Sequence, residues 1–380
     1  MSFSSLGLSA PLLKAVAEQQ YTQPYPIQQE AIPAILKGKD VLGIAKTGSG
    51  KTAGFVLPLL EKLQNTPQSR NRYINTLVLV PTRELAVQVA EVFKGLSSHL
   101  PRRIKTLAIY GGVSINPQMM VLSGTEVLVA TPGRLLDLLS SKAVHLSEVE
   151  TLVLDEADKM LNLGFEEEVN KILSLLPAKR QNILFSATLG NEIEQLIKGQ
   201  LHEPVRIEIQ EEAQPLEQIK QLAYLVTPER KGPLLRYLIR QGNMPQVLVF
   251  VSATRTADNL VAKLTKNGIE AAAMHSKKSQ GARTEALNRF KSGKLPVLVA
   301  TDLVSRGIDI QQLPYVINYD LPRSPKDYIH RIGRTGRAEA TGEAISLLTP
   351  DDRHHFRIIQ KKMGRQVEIL ETNDLDLQGS

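Results

Sequence analysis

The sequence contains no cysteine and no tryptophan, and aromatic residues make up only 4% of its 380 positions. Without cysteine the chain forms no disulfide and offers no thiolate to a metal, which excludes disulfide-stapled folds and cysteine-based zinc sites. No apolar run approaches the roughly 18 residues that span a bilayer, so we expect no membrane partner. Residues 1–5 lack a basic stretch followed by an apolar one, which predicts no export signal and a cytoplasmic location.

The overall composition is that of an ordinary globular protein with an excess of positive charge. Hydrophobic residues account for 42% of the chain and charged residues for 22%, which suits a packed core. A length of 380 residues exceeds one typical core and predicts two domains. The net charge of +7 indicates a polyanionic partner, most often nucleic acid, although charge alone does not identify it.

A glycine-rich loop stands near the N-terminus, at residues 45–52, with the sequence AKTGSGKT. It follows a short apolar run and precedes a helical pattern, which is the context of a phosphate-binding loop. Gly48 and Gly50 let the backbone N–H groups approach phosphates, Lys51 would reach the β- and γ-phosphates, and the Thr52 hydroxyl would ligate Mg²⁺. The loop begins with alanine where the usual pattern has glycine. Taken alone, it is also compatible with a turn that binds nothing.

A proline-containing segment lies upstream of this loop. Pro24 and Pro26 hold the backbone extended, so that the side chain of Gln28 points in a fixed direction. The Gln28 amide carries both a donor and an acceptor, which matches the hydrogen-bonding edge of adenine. A single glutamine near prolines is more often an ordinary loop residue, so its meaning depends on the motifs around it.

After the loop, apolar runs of strand length alternate with helical patterns. Runs that are apolar throughout predict strands buried on both faces, as in a parallel sheet covered by helices. They lie at residues 76–80, 106–109, 127–130, 151–154 and 182–185. Because ligands in open α/β sheets bind beyond the carboxyl ends of the strands, we expect the polar segments that follow four of these runs to lie beside the phosphate loop. These segments are 81–84, 131–134, 155–158 and 186–188.

The composition changes after residue 209. Residues 210–218 are polar and lack apolar periodicity, which predicts a linker between a first domain, 1–209, and a second, 219–365. A second alternating region then predicts strands near 222–225, 247–251, 271–274, 297–300, 315–318 and 344–348. This half has no phosphate loop of its own, and no direct sequence repeat links the halves. Apolar residues at helical spacing predict a final helix around residue 359, followed by a polar tail, 366–380.

Two adjacent carboxylates, Asp155 and Glu156, close one apolar run, where they would be costly unless used. Asp155 is placed to hold Mg²⁺ through water, and Glu156 to orient or deprotonate an attacking water. The alternative is an acidic helix cap after a strand. Asp158 is within reach of Ser186 or Thr188 on the next strand end, which would relay the state of the nucleotide.

The second half carries a basic motif at residues 330–337, HRIGRTGR, with three arginines interrupted by glycines. Such arginines complete an ATP site as fingers that neutralise developing phosphate charge, although a plain basic patch remains an alternative. Thr301 and Asp302 follow an apolar strand and therefore lie on a ligand face. Asp309 is placed to accept a hydrogen bond from a ribose hydroxyl.

In this order, the motifs resemble those of the DEAD-box RNA helicases of superfamily two, over roughly residues 3 to 350. The chain looks most similar to bacterial helicases of the RhlE type. It departs from the family pattern at Gln20, Tyr25 and Lys46, which affects the expected tightness of ATP binding but not the reaction. The matching segments are Phe3, 24–28, 45–52, 81–86, 111–112, 131–134, 155–158, 186–188, Phe250, Gln280 with Arg283, 301–309 and 330–337.

The resemblance implies an α/β protein with two RecA-like domains, each a mostly parallel sheet flanked by helices, joined by a short linker. It also implies that the two domains close together on RNA and on ATP, which binds with Mg²⁺. It assigns catalysis to Lys51, Asp155, Glu156, Arg334 and Arg337. It assigns ATP binding to Tyr21, Gln28, Thr47, Gly48, Ser49, Gly50, Lys51, Thr52 and Asp309, and Mg²⁺ to Thr52 and Asp155. It assigns RNA binding to Pro81, Thr82, Arg83, Gly112, Thr131, Gly133, Arg134, Arg283, Thr301 and Asp302, and coupling between the domains to Asp158, Ser186, Thr188 and His330.

The function expected from this resemblance is an ATP-dependent RNA helicase that binds single-stranded RNA without sequence preference and locally unwinds short duplexes. An ATP-controlled RNA clamp or assembly scaffold that hardly unwinds is the alternative, and the same motifs would serve it. A DNA-directed translocase is disfavoured by residues 155–158 and by the Gln28 segment, and a nucleotide store would need no arginines in the second domain. The sequence does not identify the physiological RNA or any ribosomal or RNA-decay protein partner.

Overall fold

The chain forms two compact units, Met1–Glu211 and Glu212–Ser380. The computed structural model describes residues 2–45, 48–66, 71–209, 219–302, 313–335, 342–372 and 375–377. The segment predicted as the linker, 210–218, lies outside the described residues.

The first unit contains a seven-stranded sheet in the order β3-β4-β2-β5-β6-β1-β7, and every neighbouring pair in it is parallel. Its strands are β1 Val41–Ile44, β2 Thr76–Leu79, β3 Thr106–Ile109, β4 Val127–Ala130, β5 Thr151–Leu154, β6 Gln181–Ser186 and β7 Val205–Glu208. Its helices are α1 Ala10–Glu18, α2 Pro26–Leu36, α3 Lys51–Leu63, α4 Arg83–Leu96, α5 Ile115–Met120, α6 Pro132–Ser140, α7 Ala157–Asn162, α8 Glu166–Ser174 and α9 Asn191–Lys198.

The second unit contains another seven-stranded parallel sheet, in the order β10-β11-β9-β12-β13-β8-β14. Its strands are β8 Ile219–Leu225, β9 Val247–Phe250, β10 Ala271–Met274, β11 Val297–Ala300, β12 Tyr315–Asn318, β13 Gly342–Leu348 and β14 Glu368–Glu371. Its helices are α10 Lys231–Gln241, α11 Thr254–Lys266, α12 Gln280–Lys291, α13 Pro325–Ile332 and α14 Asp352–Met363, with a 3-10 turn at Pro228–Arg230.

The two sheets have the same strand order, so that β8 occupies in the second sheet the place of β1 in the first, and β12 that of β5. The halves are therefore structural repeats, although no direct repeat is visible in their sequences. The same strand order needs only the same connections between strands and helices and the same burial of the strands. Apolar strands of similar length meet both conditions without having the same residues.

Both faces of each sheet are covered, which explains why the strands are apolar throughout. In β5, Val153 packs into the apolar core on one face, while Leu152 and Leu154 pack into the core on the other. These observations confirm the predicted fold class of two parallel sheets flanked by helices. No helix in the described part of the chain has the combination of length and apolar character needed to cross a bilayer.

The predicted polar tail is wrong for residues 368–371, which form β14 and pair in parallel with β8. Beyond β14, Leu375 and Leu377 pack against the apolar core of the second unit. The error arose because Ile369 and Leu370 form too short an apolar run to stand out, while their pairing partner lies far away in sequence.

Two further details concern helices α14 and α1. The final amphipathic helix is confirmed as α14, with Phe356, Ile359 and Met363 buried. Ser9 precedes α1, and its side chain makes no capping hydrogen bond with that helix. Instead, the Gln64 amide donates to the Ser9 hydroxyl over 3.0 Å, which ties the start of α1 to the end of α3.

Candidate functional site

The loops after β1, β2, β4, β5 and β6 all leave the same edge of the first sheet, because every strand pair is parallel. This edge carries the glycine-rich loop and the four polar segments predicted to accompany it. The structure thus brings together the first-unit candidates that the sequence spread over more than a hundred residues. We call this side of the first unit the carboxyl edge.

The described part of the glycine-rich loop adopts a shape that admits only glycine at two points. Gly48 and Gly50 have φ of 88° and 85°, a region that side chains rarely enter. A Cβ on Gly50 would lie 2.5 Å from Gln28 Nε2 and 2.7 Å from Tyr25 Cδ2. The loop leads directly into α3, whose N-terminal N–H groups and partial positive charge favour a phosphate. The residues present therefore fit a nucleotide phosphate group, while Thr47 lies outside the described residues.

Gln28 connects the proline-containing segment to this loop. Its Oε1 accepts from the Tyr25 N–H over 3.0 Å, and its Nε2 donates to the Gly50 carbonyl over 2.8 Å. The sequence did not suggest this bridge, because the partner is 22 positions away. Tyr21 stacks on Phe3, with ring centroids 6.4 Å apart. Adenine recognition by Gln28 and Tyr21 stays a prediction.

Lys51 and Asp155 are buried together at the centre of the carboxyl edge, with exposed fractions of 6% and 2%. Lys51 Nζ donates to the Ala45 carbonyl over 2.6 Å. Burial lowers the pKa of Lys51, against the nearby negative charges of Asp155 and Glu156. Burial likewise raises the pKa of Asp155 to about 6, and the positive charge of Lys51 opposes that rise.

The donor atoms at this point fit a magnesium ion. The Thr52 hydroxyl and the Asp155 carboxylate are hard oxygen ligands, the type that Mg²⁺ prefers. Asp155 Oδ1 also accepts from the Glu156 N–H over 3.0 Å, which fixes the orientation of its carboxylate. Coordination of Mg²⁺ by these two residues stays a prediction.

Glu156 stands in a strained backbone conformation, with φ 54° and ψ 47° just before α7. A left-handed conformation at a residue other than glycine is uncommon and often marks a functional position. The Glu156 carboxylate lies 2.6 Å from Lys159 Nζ. The turn therefore places two consecutive buried carboxylates, Asp155 and Glu156, between the end of β5 and the start of α7.

The raised pKa of Asp155 predicts that Asp155→Asn stabilises the free protein in a pH-dependent manner. The folded state holds the proton up to about pH 6, whereas the unfolded chain releases it near 3.8, so wild-type unfolding free energy falls as pH rises through this window. Asparagine does not titrate, so the advantage of the variant should grow from pH 4 to 6 and then level off. Two pH units correspond to about 3 kcal/mol as an upper bound.

Urea unfolding of the ligand-free protein between pH 4.5 and 8 measures this difference. Glu148→Gln, at an exposed position of the same unit, is the matched control and should show no such pH-dependent gain. A difference between Asp155→Asn and wild type that stays constant over the whole range would contradict the raised pKa.

Asp158 contacts the end of β6, as the sequence suggested. Thr188 Oγ1 donates to Asp158 Oδ2 over 3.1 Å, and the Ser186 hydroxyl donates to the Thr188 carbonyl over 2.7 Å. A change at the carboxylates after β5 is therefore mechanically linked to the loop after β6. Whether this link couples the two units stays a prediction.

The predicted RNA-binding residues of the first unit lie farther along the carboxyl edge, after the adjacent strands β2, β4 and β3. The Arg83 guanidinium lies over Gly112, and a Cβ built on Gly112 would come within 2.1 Å of Arg83 Nη1. The buried Arg134 donates from Nη2 to the Val113 carbonyl over 2.7 Å. Both arginines therefore meet at the 111–113 loop. Pro81, Thr82, Thr131 and Gly133 occupy the starts of α4 and α6 beside them.

In the second unit, Arg331 of the basic motif is 2% exposed and makes several hydrogen bonds through its guanidinium. Its Nε and Nη2 donate to the two carboxylate oxygens of Asp302 over 2.6 and 2.7 Å. Its Nη1 donates to Asn318 Oδ1 over 3.1 Å, and the guanidinium stacks over Phe250 at 4.9 Å. Sequence reasoning missed this structural role because the partners are distant in the sequence, at the ends of β9 and β12 and just after β11.

The remaining second-unit candidates are distributed around this arginine. Asp302, predicted to contact RNA, uses both carboxylate oxygens for Arg331 in the structure. Arg283 is buried at the start of α12 and donates to the Gln280 side chain. His330 is exposed on α13, and Arg334 follows that helix at a half-buried position. Asp309 and Arg337 lie outside the described residues, and the roles of all these residues stay predictions.

Comparison with known proteins adds two family matches and close relatives. Residues 25–196 match the DEAD/DEAH box helicase family, and residues 230–339 match the helicase conserved C-terminal domain. The chain is 39% identical to the DEAD-box ATP-dependent RNA helicase CshA of Bacillus cereus over 376 residues, covering 99% of this chain and 70% of the relative. It is 40% identical to the ATP-dependent RNA helicase DeaD of Buchnera aphidicola, covering 98% of this chain and 61% of the relative. Among solved structures it is similar to S. cerevisiae Dbp5 bound to RNA and ADP BeF3, at 31% identity and a TM-score of 0.83, covering 98% of this chain and 96% of that one.

Proposed function

Because the chain belongs to the DEAD-box family of ATP-dependent RNA helicases, we propose that it binds single-stranded RNA without sequence preference and locally separates short RNA duplexes as it hydrolyses ATP. One observation carries this proposal above the others. The buried Lys51 with its two carboxylates and the arginines at the 111–113 loop share one edge of one parallel sheet. The residues for nucleotide chemistry and those for recognition of the RNA backbone therefore lie on the same rigid sheet.

On the nucleotide side, the glycine-rich loop and the start of α3 cradle the phosphates through backbone N–H groups. Lys51 neutralises charge on the transferred phosphate, and Thr52 with Asp155 would hold Mg²⁺, which supplies further neutralisation when bound. Glu156 orients the attacking water and accepts its proton, for which the strained turn after β5 presents the carboxylate. Arg334, with Arg337, is proposed to contribute the finger charge.

On the RNA side, the first-unit candidates are suited to phosphates and ribose hydroxyls. Two arginines and the N-termini of α4 and α6 offer donors and positive charge, the groups that contact phosphates and sugars. Contacts of this type hold a strand by its backbone, which supports binding that ignores sequence and favours RNA through its 2′-hydroxyl. Bending of the bound strand would then open a short duplex, and hydrolysis of ATP would reset the protein.

A second candidate uses the same residues, namely an ATP-controlled RNA clamp or assembly scaffold with little unwinding. A strand-displacement assay on a short duplex separates the two, since a clamp binds in the presence of ATP but releases no strand. Within the family, we further propose that the chain is of the RhlE type, which rests on residues 1–8 and on the compact core.

The decisive experiment is the ATPase rate without nucleic acid, with single-stranded RNA and with matched single-stranded DNA, using Lys51→Ala as the blank. Strong stimulation by RNA alone is the expected result. Equal stimulation by DNA would overturn the RNA selectivity, and no stimulation by either would overturn the coupling between RNA and ATP.

Gly112→Ala is expected to weaken RNA binding while leaving ATP binding unchanged. The new Cβ would displace the Arg83 guanidinium, and alanine at φ 74° adds about 1–2 kcal/mol of backbone strain. We expect the dissociation constant for a labelled single-stranded RNA to rise by about tenfold, which corresponds to about 1.4 kcal/mol. Fluorescence anisotropy with saturating non-hydrolysable ATP measures it.

The matched control is Gly124→Ala, which has a similar φ of 72° and, among the described atoms, no neighbour within 4 Å of the new Cβ. It shares the backbone strain but displaces no arginine. Equal losses of RNA affinity in both variants would show that strain, and not Arg83, accounts for the effect.

A further inference from the structure

Lys231 of the second unit occupies the position that Lys51 holds in the first. Each lysine is the first residue of the helix that follows the sixth strand in its sheet, α3 after β1 and α10 after β8. Each is buried to the same degree, with an exposed fraction of 6%. The sequence gives no hint of this equivalence, because the segments before the two lysines share no motif.

The surroundings of the two lysines also correspond. Asp155 and Glu156 follow β5, and Tyr319 and Asp320 follow β12, the strand in the same place of the second sheet. Lys231 Nζ donates to the Tyr319 carbonyl over 2.8 Å and lies 3.5 Å from Asp320 Oδ1. In both units a buried lysine thus faces the pair of residues that ends the fourth strand.

The second unit nevertheless does not offer a second nucleotide site at Lys231. The preceding loop, residues 226–230, contains no glycine, and Pro228 has no N–H to donate. Glu229 adds negative charge where phosphates would enter. Lys231 is further surrounded by Asp352 Oδ2 at 4.0 Å and the Tyr319 ring at 5.5 Å. Its charge is therefore taken up by the protein itself.

The contacts of Lys231 continue to the basic motif through the 319–320 turn. The Asp320 carbonyl accepts from Arg331 Nη1 over 2.6 Å, and Asp320 Oδ2 accepts from the Ser252 N–H over 2.9 Å. Arg331 belongs to α13, which also carries His330 and is followed by Arg334. A continuous chain of charge-assisted contacts therefore runs from Lys231 to the helix that bears the basic motif.

We propose that Lys231 is a positioning residue. Its first-unit counterpart, Lys51, is proposed to bind a ligand, whereas Lys231 holds other residues of its own unit in place. It holds the 319–320 turn, and through it α13, the helix that carries His330 and leads to Arg334. The effect on turnover rests on the proposed function, whereas the anchoring of α13 is a property of the second unit alone.

Hydrogen exchange of the full chain tests the anchoring without any activity measurement. Lys231→Met, which keeps the length and loses the charge, should raise the exchange rate of the backbone amides of residues 326–332 in α13 several-fold. Lys263→Met is the matched control, since Lys263 is exposed on α11 and has no side-chain hydrogen bond or ion pair within the described residues. Unchanged protection of α13 in Lys231→Met would overturn the proposal.

Kinetics tests the consequence for turnover. We expect Lys231→Met to lower the RNA-stimulated kcat by about 10-fold, and by at most about 100-fold, because a displaced catalytic group loses its geometry. The KM for ATP should stay within about twofold of wild type, since the first-unit cradle is untouched. A wild-type kcat in a variant with loosened α13 would overturn the positioning role.

Asp320→Asn provides a second variant in case Lys231→Met does not fold. It removes the charge that faces Lys231, retains an oxygen for the Ser252 N–H, and should move α13 exchange and kcat in the same direction. In the double variant the two losses should be less than multiplicative, because both substitutions break the same link. If the losses in the double variant are multiplicative, the proposed link between Lys231 and Asp320 is overturned. A wild-type protein without RNA-stimulated turnover would refute the proposed function, while the exchange experiment would still decide on Lys231.

Discussion

Lys51→Ala is expected to lower the rate of ATP hydrolysis by about 10²–10³-fold while the fold remains intact. The lysine lies buried at the N-terminus of α3, beside Asp155 and Glu156. Its removal takes away the cation nearest to the predicted position of the transferred phosphate. Alanine is a good residue in the first turn of a helix, so the local structure should persist.

A second consequence follows from the coupling between Lys51 and Asp155. The positive charge of Lys51 restrains the pKa of Asp155, which is raised to about 6 even with the lysine present. In Lys51→Ala this pKa should rise further, so that near neutral pH part of the protein carries an uncharged Asp155 that cannot hold Mg²⁺ well. The defect should therefore be larger at pH 6.5 than at pH 8.5.

Steady-state ATPase assays with saturating RNA at these two pH values measure both effects. Lys37→Ala, an exposed lysine just after α2, is the control and should retain wild-type turnover at both. Turnover in Lys51→Ala within a few-fold of wild type would remove the lysine from the site. A loss of turnover that does not depend on pH would show that Lys51 does not act through the pKa of Asp155.

Glu156→Gln is expected to reduce turnover by about 10²–10⁴-fold, the range that general acid–base catalysis contributes. Glutamine has the shape of glutamate and keeps an oxygen for Lys159 Nζ, which lies 2.6 Å from the carboxylate. It lacks the negative charge and the basicity needed to take a proton from water. ATP and RNA should still bind, so the protein should remain in the state that precedes hydrolysis.

The signature of this trapped state is slow RNA release in the presence of ATP. Dissociation of a labelled single-stranded RNA after addition of excess competitor measures it, with ADP in a parallel sample. Glu167→Gln, an exposed glutamate on α8, should release RNA at the wild-type rate. Wild-type release by Glu156→Gln with ATP would contradict the role of Glu156 as the base.

The elements that the sequence predicted well are those whose signal is local. A buried parallel strand is a continuous apolar run, so most strand positions were correct to within one or two residues, as for β4 and β10. The carboxyl edge was predictable for the same reason, because parallel strands place their ends together. A glycine-rich loop between a strand and a helix is likewise contained in a dozen consecutive residues.

The elements that were missed depend on partners far away in the chain. Arg331 looks like its neighbour Arg334 in the sequence, and only the acceptors Asp302, Asn318 and Asp320 show that it is structural. The bond from Gln28 to Gly50 depends on how two loops meet, and no local sequence pattern contains it. The place of Lys231 follows from the strand order, which no short sequence pattern contains.

A four-residue strand forms one outer edge of each sheet. In the first unit β7 lies outside β1, and in the second unit β14 lies outside β8. Both are rich in charge, with Arg206 and Glu208 in β7 and Glu368 and Glu371 in β14. A short, charged outer strand discourages another chain from adding to the sheet. By covering β1 and β8, the strands β7 and β14 therefore prevent edge-to-edge pairing between copies of the chain at the strands that lead into Lys51 and Lys231.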